Sequence, residues 1–149
     1  MVAKGRRSLA VLAICALGAL LLALPSFASE ATPLAKLEAS LTGEKEAPGP
    51  GDKDGLGDAD VKVYKARVCY ELEVQRIKPA TAAHIHLGLS GEAGPIVAEL
   101  KAPTDGSSGG CVAVPRALSL GLKEHPDWYY VNVHNKPYPD GAIRGQLHR

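Results

Sequence analysis

One stretch of sequence decides the fold: Val68-Cys69-Tyr70-Glu71-Leu72-Glu73-Val74-Gln75. Apolar side chains occupy every second position from Val68 to Val74, and two glutamates fall between them. Successive side chains of a β-strand point to opposite faces of the sheet. The run therefore predicts a strand with one face in a core and the other in water.

Shorter alternating runs lie on both sides of this strand, separated by Gly, Pro and Asp. They predict further strands at 37–41, from 61 onward, and at 82–89, 96–100, 111–114, 128–134 and 142–148. Loops are expected at 43–58 and 104–110, and a short helical turn at 117–124. This pattern is typical of an all-β protein, an immunoglobulin-like antiparallel β-sandwich of seven to eight strands.

The first 28 residues have the pattern of a signal peptide. Basic residues precede an apolar stretch at 9–24, and Ala28 ends a small-x-small cleavage site. We expect cleavage after Ala28, a single mature domain at 29–149 with no membrane span, and a secreted or periplasmic location. An uncleaved membrane anchor is the alternative, although the apolar stretch is short for a spanning helix.

Charge excludes some kinds of partner. The full chain has 17 basic and 16 acidic side chains, and the signal peptide contains three of the basic ones, which leaves 14 against 16. A slightly acidic domain lacks the basic face that binds nucleic acid or anionic membranes. The only methionine, Met1, is removed with the signal, so no thioether remains as a metal ligand.

Two cysteines, Cys69 and Cys111, remain in the mature domain. An even number in an exported protein predicts a disulfide. A pair of metal-binding thiolates is the alternative, but no Cys-x-x-Cys spacing supports it.

The histidines form the main candidate site. His84 and His86 are two residues apart in a predicted strand, so their side chains share a face, and His134 lies in a strong later strand. If the two strands are neighbours, three imidazoles converge on one metal ion. Imidazole ligands in an exported protein without thiolates favour copper, with zinc as the alternative. His125 and His148 are candidate additional ligands, and purely structural, hydrogen-bonded histidines are the other interpretation.

Several runs together resemble the CHRD domain, which is named from chordin, an extracellular growth-factor antagonist. They are Leu41-Thr42-Gly43-Glu44-Lys45-Glu46, Ala83-His84-Ile85-His86-Leu87-Gly88, Gly94-Pro95-Ile96-Val97, Tyr129-Tyr130-Val131-Asn132-Val133-His134 and Tyr138-Pro139-Asp140-Gly141-Ala142-Ile143-Arg144-Gly145-Gln146-Leu147. The resemblance implies a secreted β-sandwich of the single-domain exported bacterial type. It implies little about activity. Growth-factor antagonism does not carry over, because the cysteine-rich modules of chordin are absent.

By analogy, the histidine pattern also resembles the copper site of copper/zinc superoxide dismutase. In this resemblance Arg144 would guide the anionic substrate, a catalytic role. The long zinc-binding loop has no counterpart, so such an enzyme would be copper-only. The alternative is a structural Arg144 that binds carbonyls or pairs with Asp140 or a glutamate.

Three functions therefore stay open at this point. The first is an exported copper-binding protein for storage, buffering or transfer. The second is a copper-only oxidoreductase similar to superoxide dismutase, so enzyme activity is uncertain. The third is an extracellular binding or adhesion module that contacts another extracytoplasmic protein and has structural histidines.

Overall fold

The computed structural model describes residues 31–149, so the predicted signal peptide and its cleavage site lie outside the described residues. The strands are β1 (Ala35–Thr42), β2 (Leu56–Tyr64), β3 (Arg67–Gln75), β4 (Ala80–Leu87), β5 (Ile96–Leu100), β6 (Ser107–Ala113), β7 (Tyr129–Asn135) and β8 (Ile143–Gln146). One helix, α1 (Arg116–Glu124), joins β6 to β7, and short 3-10 turns occupy Gly43–Lys45 and Pro126–Trp128.

The eight strands form one antiparallel sheet in the order β5-β4-β7-β8-β1-β2-β3-β6. β8 and β1 meet at the pair Thr42 and Arg144, which joins two four-stranded halves. The end strands approach each other near Lys101, whose N–H donates to the Tyr70 hydroxyl at 2.6 Å and whose carbonyl accepts from Ser108 Oγ at 2.7 Å. The sheet is thus nearly closed, and the predicted all-β antiparallel fold is confirmed.

The core lies between the two halves and follows the predicted alternation. In β3, all four apolar residues of the 68–75 run are buried, and Glu71 and Glu73 are exposed. In β4, Ile85 is fully buried, as expected for the residue between two outward-facing histidines. Leu122 of α1 is also fully buried and packs at the edge of this core.

Two segments expected to be loops belong partly to strands. β2 begins at Leu56, because residues 56–58 pair with 73–75 of β3. β6 begins at Ser107, because residues 107–110 pair with 70–73 of the same strand. Both segments are rich in glycine and polar residues, so backbone pairing determines their structure and no apolar alternation reveals it.

The outer faces of the two halves differ. The outer face of β1, β2 and β3 is charged and exposed. In β7, both faces are buried, and the outward-facing Tyr130 and Asn132 are each only 3% exposed. Loop residues at 46, 88–95 and 139 cover this second outer face. The covered face contains the candidate site.

The predicted disulfide joins Cys69 of β3 to Cys111 of β6, which are directly opposed in the sheet, with an S–S distance of 2.04 Å. The disulfide excludes the alternative, in which these two cysteines are metal-binding thiolates. Within residues 31–149, no helix combines the length and apolar character needed to cross a membrane.

Candidate metal centre

Strand pairing brings the three predicted histidines together. β4 and β7 are antiparallel neighbours, with His84 opposite Asn132 and His86 opposite Tyr130. His134 lies two residues beyond Asn132 on the same face, so it is the diagonal neighbour of His84. The ligand nitrogens of the three side chains lie within 4.8 Å of one another. Three histidines that could hold a metal ion therefore converge, as the sequence predicted for neighbouring strands.

The nitrogen separation of one pair, His84 and His134, fits two ligands of one ion. His84 Nδ1 and His134 Nε2 are 3.1 Å apart. Two imidazole nitrogens at that separation, each roughly 2.0–2.1 Å from an ion, subtend about 100° at it. That angle lies between the square-planar and tetrahedral values. In the absence of an ion the same two nitrogens share a hydrogen bond.

Backbone carbonyls determine which nitrogen is free on two of the rings. His86 Nδ1 lies 2.9 Å from the carbonyl of Gly94, and His134 Nδ1 lies 2.9 Å from the carbonyl of Pro139. A carbonyl only accepts, so each Nδ1 carries the hydrogen and each Nε2 keeps its lone pair. His86 Nε2 is buried and has no hydrogen-bond partner among residues 31–149. An orphaned lone pair of this kind is what a metal ligand with a carbonyl behind it requires.

The pKa values of both histidines of β4 are lowered, which favours the neutral form. Burial lowers the pKa of His84, and the positive charges that His134 and His86 would carry lower it further, against a smaller opposite effect of Glu99. Burial also lowers the pKa of His86, although the hydrogen bond to Gly94 opposes this shift. Neutral imidazoles are the ones that bind metal ions.

A partly buried carboxyl group, that of Glu46, lies against Asn132, the residue opposite His84 in the sheet. Asn132 Nδ2 donates to both carboxyl oxygens of Glu46, each at 3.0 Å. Burial raises the pKa of Glu46 to about 7, against the lowering effects of Asn132 and of the Arg144 charge. Gly141 makes this contact feasible, because a β-carbon there would overlap the Glu46 carboxyl.

Arg144 is buried with 1% exposure on the same outer face. Its Nη1 donates to the carbonyl of Glu92 at 2.7 Å and its Nη2 to the carbonyl of Leu89 at 2.8 Å. These contacts match the structural interpretation. The guidance of an anionic substrate by Arg144 stays a prediction.

The other two candidate ligands lie outside the group of three. His125 stacks on Trp128, with 4.3 Å between ring centroids. The backbone of His148 forms an isolated bridge with Glu38. Among the described residues, the structure therefore groups neither with His84, His86 and His134.

Sequence reasoning missed the residues that surround the histidines. Glu46 and Gly94 belong to runs that carry the CHRD resemblance, which was the available signal for them. Neither follows a strand periodicity, so nothing local indicated that the two loops fold over the sheet face.

Comparison with known proteins identifies the family. No curated protein and no solved structure matches the chain significantly. A family model described as the CHRD domain matches residues 37–147, which includes all eight strands in whole or in part. The chain therefore belongs to the CHRD domain family.

Proposed function

We propose that this protein is exported and binds a transition metal, copper in preference to zinc, through His84, His86 and His134. The observation that carries the proposal is the buried, unpartnered Nε2 of His86 beside the His84–His134 nitrogen pair. Leaving a buried acceptor unsatisfied costs roughly 1–3 kcal/mol, and a bound ion removes that cost.

The donor set favours copper. It consists of imidazoles, which suit copper, zinc, nickel and iron, and contains no thiolate. At a given nitrogen site, copper binds more tightly than the other divalent ions of the series. Zinc is the alternative ion.

Export is supported by the signal-like first 28 residues and by the disulfide, which persists in oxidising compartments. A secreted or periplasmic copper protein would serve storage, buffering or transfer. Transfer requires a second extracytoplasmic protein as donor or acceptor.

A copper-only oxidoreductase of the superoxide dismutase type is the second candidate. It needs a coordination position open to solvent, and the partial exposure of His84 and His134 favours this. The burial of Arg144, whose terminal nitrogens both donate to carbonyls, favours a carrier instead. A superoxide assay on the copper-loaded protein separates the two functions.

The test is metal content by mass spectrometry on untagged protein purified from its export compartment. We expect one copper per chain in the wild type and none in a His84→Ala/His86→Ala variant. A His125→Ala/His148→Ala variant is the matched control and keeps its metal, because those two histidines lie outside the group. Absence of metal after incubation with copper would leave a binding module with structural histidines.

A further inference from the structure

His86 is held from two directions. Its Nδ1–H donates to the carbonyl of Gly94, and its ring stacks on Tyr130 with 4.8 Å between centroids and 8° between planes. The Tyr130 hydroxyl accepts from the backbone N–H of Gly94 at 3.1 Å. His86, Tyr130 and Gly94 thus form a closed set of contacts, in which the tyrosine stacks on the imidazole ring and accepts from the N–H of the residue whose carbonyl sets the tautomer.

Arg144 lies on the other side of the tyrosine. Its guanidinium carbon is 3.4 Å from the centroid of the Tyr130 ring. The result is a three-layer stack of guanidinium, phenol and imidazole across β8, β7 and β4. A guanidinium on an aromatic face is attracted by the ring quadrupole, and desolvation strengthens that attraction.

The same guanidinium holds the β4–β5 loop, residues 88–95. The carbonyls of Leu89 and Glu92 accept its hydrogen bonds, and Gln146 of the same strand donates to the carbonyl of Gly88 at 2.8 Å. Side chains of β8 therefore secure the loop that supplies the Gly94 carbonyl.

Gly94 lies very close to the end of β4. A β-carbon at this position would overlap the carbonyl oxygen of Leu87, so the loop backbone approaches β4 as closely as a glycine permits. A small displacement of the loop therefore moves the carbonyl away from His86 Nδ1.

The geometry points to Arg144 as a positioning residue of the metal site, which orients His86 through Tyr130 and the β4–β5 loop. This inference rests on the proposed function and assigns Arg144 a role other than substrate guidance. Groups behind a metal ligand determine its tautomer and orientation, and their loss typically lowers metal affinity roughly 10- to 100-fold.

The test compares the wild type with Arg144→Lys and Tyr130→Phe. Lysine keeps the charge, but it lacks the planar guanidinium that donates to two carbonyls and stacks on the Tyr130 ring. Phenylalanine keeps the ring stack but removes the hydroxyl that accepts from Gly94. Arg67→Lys is the matched control, since Arg67 lies 4.7 Å over the Tyr64 ring in the other half of the sheet.

The first readout needs no metal. Nitrogen-15 spectra of the metal-free protein report which ring nitrogen of His86 carries hydrogen. We expect the Nδ1–H form in the wild type and in Arg67→Lys, and a mixture with the Nε2–H form in Arg144→Lys and Tyr130→Phe. A merely structural arginine would leave the tautomer unchanged.

The second readout is copper affinity, measured by competition with a chelator. We expect Arg144→Lys and Tyr130→Phe to bind copper about 10- to 100-fold more weakly at a one-to-one ratio, and Arg67→Lys to match the wild type. Wild-type affinity together with an unchanged tautomer in both variants would overturn the inference. If Arg144→Lys does not fold, Arg144→Gln, which removes the guanidinium but keeps an amide donor, decides by the same two readouts.

The two proposals fail in different ways. A wild-type protein that binds no copper contradicts the proposed function, whereas the tautomer of His86 still decides whether Arg144 and Tyr130 position it. A wild-type His86 in the Nε2–H form contradicts the positioning role even where copper binds.

Discussion

Replacing Glu46 by glutamine should remove most of the pH dependence of stability that this residue creates. The pKa of the Glu46 carboxyl is about 7 in the folded protein, against an ordinary value of 4.5. Between those values the folded chain binds a proton that the unfolded chain releases. Stability from this group is therefore fully present below pH 4.5 and is lost as the pH rises through 7.

The magnitude follows from the shift. The complete change corresponds to about 3 kcal/mol at roughly 1.4 kcal/mol per pKa unit, and discounting for the partial contact of the carboxyl with solvent leaves about 2 kcal/mol. Asn132 already donates to this carboxyl, and glutamine offers the same amide nitrogen an uncharged acceptor. The Glu46→Gln variant should thus keep the contact with Asn132 but lose the titrating carboxyl group.

The assay is urea unfolding of metal-free protein at several values between pH 5 and pH 8. His84 and His86 act in the opposite direction, because their lowered pKa values reduce stability as the pH falls below about 6.5. The difference between wild type and Glu46→Gln cancels that contribution. Glu44→Gln is the control, since Glu44 is exposed and lies in the 3-10 turn that immediately precedes Glu46.

We expect the free energy of unfolding of the wild type to fall by about 2 kcal/mol more than that of Glu46→Gln between pH 5 and pH 8. Glu44→Gln should follow the wild type. Parallel profiles for wild type and Glu46→Gln would refute the reasoning, because they would show a Glu46 carboxyl that ionises as it does in water.

Three further predictions concern the scaffold and the site loop. Replacing Cys69 and Cys111 by alanine should lower the free energy of unfolding by up to about 4 kcal/mol, from loop closure over a separation of 42 residues, measured by urea unfolding. Gly94→Ala should lower copper affinity about 10-fold or more in a chelator competition, because the added β-carbon displaces the carbonyl behind the metal ligand. Leu122→Ala should lower the free energy of unfolding by about 2–5 kcal/mol, because Leu122 is fully buried. Leu120→Ala, at an exposed position of the same helix, should lower it by less than about 0.5 kcal/mol. Similar losses for the two variants in thermal unfolding would contradict the packing of α1.

The sequence predicted the local part of the site well. Side chains at i and i+2 of a strand share a face whatever the strand pairs with, so the common direction of His84 and His86 could be inferred from spacing alone. The approach of His134 to these two histidines could be predicted only on the condition that its strand lies next to theirs. Which strands are neighbours is a non-local property, and β4 and β7 are about 50 residues apart in the chain.

The residues around the histidines could not be predicted in the same way. Glu46 lies just after a 3-10 turn, where most acidic side chains are solvated, and its partial burial accompanies a contact with Asn132, 86 residues away in the chain. The segment 107–110 carries no apolar alternation, and its strand conformation follows from its pairing with β3. In both cases the deciding partner lies far away in sequence.

The covered outer face is difficult to explain as scaffold alone. Burying polar and charged groups costs desolvation energy, and well-packed apolar residues of similar volume often serve stability equally well or better. The exposed outer face of β1, β2 and β3 pays no such cost, because its charges stay in water. On the other half, loops bury Arg144, Asn132 and His86, and in the part of the chain that the structure describes neither His86 Nε2 nor Asn132 Oδ1 has a hydrogen-bond partner.

Departures from the rules of stable folding are expected where a protein has a function to perform. Among the described residues, two of the three buried side-chain atoms without a hydrogen-bond partner, His86 Nε2 and Asn132 Oδ1, lie on this face, and the third, Ser119 Oγ, lies in α1. The orphaned nitrogen belongs to a ring that a backbone carbonyl, a stacked tyrosine and, behind it, an arginine hold in one orientation. A histidine that only fills space does not need a fixed ring orientation. A metal ligand does, because its affinity depends on the lone pair pointing at the ion. The polar face and the convergence of the three histidines are therefore both accounted for by the proposed metal centre, built on the strands and covered by the loops.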